Sequence, residues 1–146
     1  MAAERINRSE IPAWECYQLL DEQRVGRLAI IENGYPVAIP VSYALAGTPE
    51  DRRLVFRTGP GTTIAQYDGH SSLEVDHIDE REKKAWSVIA RGTLHKHFGG
   101  DPLPDPQPWV IDGRHQWLTL SVVAVSGRRF VGQAAEDGSG LEWRDA

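Results

Sequence analysis

Arg57 and Thr58 end a short apolar run, Leu54 to Phe56, and are followed at once by Gly59, Pro60 and Gly61 and then by Thr62 and Thr63. This order gathers a guanidinium, up to three hydroxyls and the backbone N–H groups of a tight turn, a set suited to the oxygens of a phosphate. Thr62 or Thr63 can cap a helix whose Ile64, Ala65 and Tyr67 bury one face, so a short helix dipole is expected to point its positive end at the same place. The same residues also make a strand, a turn and a capped helix that bind nothing.

Charge composition narrows what could bind there. Of the sixteen basic residues only Lys83, Lys84 and Lys96 are lysines, so any anion site must be built from arginine, hydroxyls and backbone. A net charge of -5 and the lack of a basic stripe argue against a nucleic-acid partner. Glu74 and Asp76 on one strand face could be an acid pair or metal ligands, but a solvated face explains them and no chemistry is assigned. His95 and His97 have a chelating spacing without an evident third ligand, which favours exposed histidines and no metal. No Ser-His-Asp set, HExxH helix or P-loop lysine is present, so hydrolase and triphosphatase readings have little support.

With 146 residues the chain reads as one domain, 1–146. Cys16 is the sole cysteine, which rules out an intrachain disulfide and fits a reducing cytosol. The first ten residues have no apolar signal core, and no run approaches the ~20 apolar residues of a membrane span, so a cytoplasmic protein is expected.

The elements that must position the Arg57 segment follow from periodicity. Ser9 to Gln23 reads as a helix, with Pro12 in its first turn and Trp14, Tyr17 and Leu20 sharing a core face or, for the two aromatics, a ligand platform. Val25 to Glu32, Asn33-Gly34, and Tyr35 to Ala46 form a hairpin. Pro36 and Pro40 cannot donate to a ladder, so the second strand is expected to be interrupted or exposed at an edge near them, leaving backbone groups near Ile39 to Ser42 for a flat polar heterocycle or simply guarding against aggregation. Gly47 to Arg53 is a polar loop, and Ser71 to Ile78 and Ala85 to Phe98 are further strands, with a bulge or a close-approach point at Gly92. Gly99 to Pro108 is a proline-rich flap or interface arm, Trp117 to Val125 a last long strand, Ser126-Gly127 a turn, and Arg128 to Gln133 a short final strand. The tail from Glu136 is loose, with Leu141 and Trp143 as an anchor. Six or seven mainly antiparallel strands with few helices make a small β-barrel, and five tryptophans suggest a subunit interface or a flat aromatic ligand.

In order, Val25-Gly26-Arg27-Leu28-Ala29, Ile39-Pro40-Val41-Ser42-Tyr43, Val55-Phe56-Arg57-Thr58 with Gly61-Thr62-Thr63, and Trp86 through Gly92 resemble the flavin-binding split-barrel family, the pyridoxamine 5′-phosphate oxidase-like proteins. Pro108-Trp109 through Gly113 to Trp117, and Val125 to Arg129, extend the likeness over roughly Ser9 to Arg129. The resemblance implies a six-stranded antiparallel split β-barrel with short flanking helices, a homodimer with FMN at the subunit interface, and an oxidoreductase acting on a small molecule. Arg57, Thr58, Thr62 and Thr63 would then contact phosphate or ribityl oxygens, Ile39, Pro40, Val41 and Ser42 would line the isoalloxazine, and Trp86, Ser87 and Val88 would flank it. Many relatives carry Lys where this chain has Thr63, a change worth about 1 to 3 kcal/mol of phosphate binding. It leaves deazaflavin, haem or no cofactor open, and with them a non-catalytic carrier.

Overall fold

The computed structural model describes residues 6–109, 113 and 116–132. The order is β1 (Ile6–Ile11), α1 (Ala13–Glu22), β2 (Val25–Glu32), β3 (Tyr35–Ser42), β4 (Ala44–Thr48), β5 (Asp51–Thr58), α2 (Thr63–Gln66), β6 (Gly69–Asp79), β7 (Lys84–Lys96) and β8 (Gln116–Gly132). The class is the expected one, an antiparallel split barrel with two short helices, but eight strands replace the expected six.

Asn33 and Gly34 both take positive φ, 52° and 81°, which is what a type I′ hairpin turn demands, and they set β2 against β3 from Glu32↔Tyr35 to Val25↔Ser42. The sheet then runs β3-β2-β6-β7-β8-β5-β4, so β3 and β4 lie at opposite ends of the strand order although only Tyr43 separates them in sequence. A sheet whose two ends are joined by one residue must curl round on itself. Leu28, Leu54, Leu73, Val88, Leu94 and Leu120 fill the interior from alternate strand positions, each with no exposed surface.

Helix α1 plugs this core with Cys16 and Leu20. The carbonyl of Leu20 lies in the last helical turn, beyond reach of an intrahelical donor, and it accepts the Tyr43 hydroxyl at 2.6 Å. Arg129 on β8 pairs with Glu15 on the same helix. The seam residue is therefore fastened to the plug.

Five expectations give way. The helix begins at Ala13, not Ser9, because Ile6–Ile11 pairs antiparallel with the far end of β8. The expected turn at Ser126-Gly127 is uninterrupted strand, and Gly127 is there for space: a Cβ would lie 2.8 Å from Cys16 Sγ and 3.1 Å from Ile11 Cβ. The single strand Tyr35 to Ala46 splits at Tyr43, and the loop expected over Gly47 to Arg53 contracts to Pro49-Glu50. Trp14 does not enter the core but is 64% exposed. The expected bulge is found, between Arg91 and Gly92. The tail from Glu136, with Leu141 and Trp143, lies outside the described residues.

Removing the Tyr43 hydroxyl leaves the Leu20 carbonyl buried without its donor. Tyr43→Phe is expected to lower unfolding free energy by about 1 to 2 kcal/mol in a urea titration, and wild-type stability would show that the seam does not rely on this bond.

Candidate functional site

The split in the barrel makes the site. β4 pairs with β5 from Thr48↔Asp51 to Ala44↔Val55. Continued two residues further, that register would bring Ser42 opposite Arg57. After Tyr43, however, the backward-running chain belongs to β3 and follows β2 instead, and a wedge opens between β3 and the end of β5. The wedge is a cleft of about 310 Å³, within the range of small-ligand sites, walled by Val25, Ile39, Val41, Ile64, Pro108 and Trp109. Pro40, Ser42, Arg57 and Thr58 also border it.

Hydrogen-bond alternation decides which backbone groups of β3 remain at the open edge. Glu32 and Tyr35 flank a two-residue turn and so form a hydrogen-bonded pair, as do Leu28 with Ile39 and Gly26 with Val41, while Arg27↔Pro40 and Val25↔Ser42 are the intervening pairs. Tyr43 N–H donating to Arg24 O at 3.0 Å continues the same alternation. Ile39 and Val41 therefore use their backbone groups in the ladder. The Pro40 carbonyl and both backbone groups of Ser42 turn away from β2, and Pro36 and Pro40 occupy positions where no ladder donor is needed.

At the other wall, Thr58 is buried and its hydroxyl lies 2.9 Å from that of Thr62. Thr62 caps α2, its Oγ1 accepting from Ala65 N–H at 3.2 Å, and Thr63 is exposed. The helix is only four residues long, so its dipole is much smaller than the sequence pattern promised. Arg57 lies with its guanidinium 5.1 Å from the Trp117 ring, and its Nη1 lies 2.9 and 3.0 Å from the two oxygens of Asp105. The Gln107 N–H and then the Arg57 guanidinium hold the Asp105 carboxyl below the usual carboxylate range. With Asp105 about half exposed, this ion pair contributes no more than about 1 kcal/mol.

The cleft thus gathers Ile39, Pro40, Val41, Ser42, Arg57 and Thr58 on one chain, with Thr62 hydrogen-bonded to Thr58 and Thr63 beside it. It does not gather Trp86, Ser87 and Val88. Val88 is fully buried in the barrel, Ser87 opens onto a groove on the outer sheet face, and Trp86 lies by His77 and Arg129. Asp105, Pro108 and Trp109 were not among the expected site residues. A carboxylate among alternating prolines is the only local sign of the first, and nothing in its neighbourhood names Arg57 as its partner. The donor set fits a ligand with a flat apolar body and an anionic tail, provided Asp105 yields Arg57 to that tail.

The outer groove, about 370 Å³, is lined by Glu74, Asp76, Ser87, Arg91, Ser126 and Arg128 among others. Arg27 Nη1 bridges Glu74 at 3.2 Å and Asp76 at 2.8 Å. His95 Nε2 lies 3.1 Å from the Thr119 hydroxyl, and among the described residues no three potential metal ligands converge. No helix among the described residues is long and apolar enough to cross a membrane.

This geometry and a match to known sequences coincide. The sequence profile of the pyridoxamine 5′-phosphate oxidase family matches residues 12–98, which contain β2, β3, β5 and the Arg57 turn, and the chain belongs to that family. Solved structures of similar fold include an FAD-binding protein from Mycobacterium smegmatis, 23% identical over 84% of this chain and 98% of that one, with a TM-score of 0.64. An FAD-binding protein from Mesorhizobium loti is 24% identical over 86% of this chain and 98% of its own, TM-score 0.64. An FAD- and haem-binding protein from Mycobacterium smegmatis is 16% identical over 95% of this chain and 76% of its own, TM-score 0.58. No curated protein matches the sequence significantly.

The outer groove has a consequence for stability. Burial, then the hydrogen bond and charge of Asp76, push the Glu74 carboxyl up to about 7 against the pull of Arg27. A carboxyl that holds its proton more tightly folded than unfolded gives stability that is full below its unfolded value of 4.5 and is lost as pH rises through about 7. The melting temperature of the wild type is expected to fall between about pH 5 and about pH 8 relative to Glu74→Gln, whose amide keeps the neutral form. Parallel curves for the two proteins would show that Glu74 carries no such proton.

Proposed function

We propose that this chain is a flavoprotein, an FMN-dependent oxidoreductase acting on a small molecule and working in the cytoplasm as a homodimer. The observation that carries the proposal is the wedge between β3 and β5, which puts outward backbone groups of Pro40 and Ser42 and the Arg57–Thr58 pair around one apolar cleft. Arg57 holds the phosphate by charge-assisted hydrogen bonds, helped by the hydroxyls of Thr58, Thr62 and Thr63. Ile39, Val41 and Ile64 exclude water from one side of the ring, and the backbone of Pro40 and Ser42 offers it hydrogen bonds. When bound, the flavin accepts a hydride or electrons and passes them on. Trp86 and Ser87 reach the ring only from a second copy of the chain, which is the reason for placing the cofactor at a subunit interface.

One observation favours a second reading, a non-catalytic carrier of flavin, deazaflavin or haem. Among the described residues lining the cleft there is no carboxylate, histidine or lysine to move a proton. Redox chemistry confined to the cofactor does not need one, so turnover separates the two readings. Reduced protein that passes no electrons to oxygen, quinones or nitro compounds would favour the carrier.

The purified protein is expected to show oxidised-flavin absorbance after incubation with FMN, whereas a Soret band would point to haem. Arg57→Ala is expected to weaken FMN binding at least about tenfold, equivalent to about 1.4 kcal/mol, in a fluorescence titration. Unchanged affinity would remove Arg57 from the site.

A further inference from the structure

The guanidinium on which the proposed phosphate site depends is held by a carboxylate of its own chain. Asp105 reaches Arg57 from the middle of the proline-rich segment 99–108, and its Oδ1 also accepts the Gln107 N–H at 2.9 Å. Asp105 is thus aimed by its own loop. Pro102, Pro104, Pro106 and Pro108 fix every second φ, which stiffens the segment into an arm. At its start Gly99, with φ of +121°, and Gly100 have open space where a Cβ would lie, so no packing restrains the backbone there. The far end of the arm, Pro108 and Trp109, is a wall of the cleft itself; Trp109 is 88% exposed, and Pro106 beside Asp105 is the one buried residue of the arm.

A carboxylate and a phosphate monoester make the same demand on a guanidinium, anionic oxygens against its N–H groups, and both cannot occupy Nη1 at once. The phosphate brings nearly two charges and three oxygens, against one charge and two oxygens on Asp105. It is the stronger partner, while the carboxylate has the advantage of being tethered.

We propose that Asp105 is an internal stand-in for the ligand's phosphate, so that the arm 99–108 closes on Arg57 in the absence of ligand and is released when an anionic ligand enters. This inference rests on the FMN reading of the cleft and adds its regulation. While Asp105 occupies Nη1 the phosphate is denied that donor, and the observed affinity is the intrinsic one reduced toward the fraction of time the arm is open. Asp105 is then a determinant of affinity that never touches the bound ligand. A carboxylate that merely positioned Arg57 for phosphate would act in the opposite direction, its loss weakening binding.

The test is FMN affinity of the wild type and Asp105→Asn, read by quenching of flavin fluorescence, together with amide exchange across residues 99–108. Asp105→Asn is expected to bind FMN about fivefold more tightly, the change for an arm closed about four-fifths of the time. Exchange of the Gln107 N–H, held by Asp105 at 2.9 Å, is expected to rise about fivefold in the wild type on saturation with FMN. If both proteins bind FMN and the variant binds no more tightly, or the arm keeps its protection, the stand-in is overturned and the cofactor site remains. If neither protein takes up FMN, the cofactor reading fails and the stand-in with it.

Discussion

The structure depends on one covalent constraint, that the two ends of an eight-strand sheet are joined through a single residue, Tyr43. Because β3 must follow β2 while β4 must follow β5, the chain has to part from β5 near Arg57, and a wedge is unavoidable there. The hydroxyl of Tyr43 ties this point to the last turn of α1, and α1 is held to β8 by Glu15 and Arg129. The cleft is therefore a property of the barrel's closure, not of a loop laid over it, and its walls are strands whose positions are set by long ladders.

Within that frame the electrostatics are sparing. Among the described residues the cleft has one cation, Arg57, in contact with the Trp117 ring and engaged by Asp105, while the Thr58 and Thr62 hydroxyls pair with each other and Thr62 caps a one-turn helix. A partly exposed ion pair is weak enough to exchange partners, and a fully buried one would not be. The groove on the opposite face differs. There Arg27 joins two carboxylates that crowd each other, and burial and Asp76 push the Glu74 carboxyl up.

Much of this was legible in the sequence where local chemistry decides structure. Asn33-Gly34 admits one turn and so fixes the β2–β3 register, and the prolines of β3 mark it as an edge strand. Arg57, Thr58 and Thr62 came together because they are neighbours in the chain. What escaped required distant partners. Ile6–Ile11 is a strand only because β8 runs on to meet it, and Gly127, which reads as a turn residue, is a concession to Cys16 and Ile11 packed against it. Trp14 follows the helical period of the core but lies beyond the edge of what the barrel can cover. The meeting of Asp105 with Arg57, forty-eight positions apart, leaves no periodic or compositional trace.

The most direct test of the account is a crystal structure of the protein grown with FMN. The account predicts the phosphate within hydrogen-bond distance of Arg57 and the Thr58–Thr62 pair, the ring along Ile39 to Ser42, and the Asp105 carboxylate withdrawn from Nη1. FMN bound instead in the groove of Glu74 and Arg91, or on Arg57 with Asp105 still in contact, would contradict it.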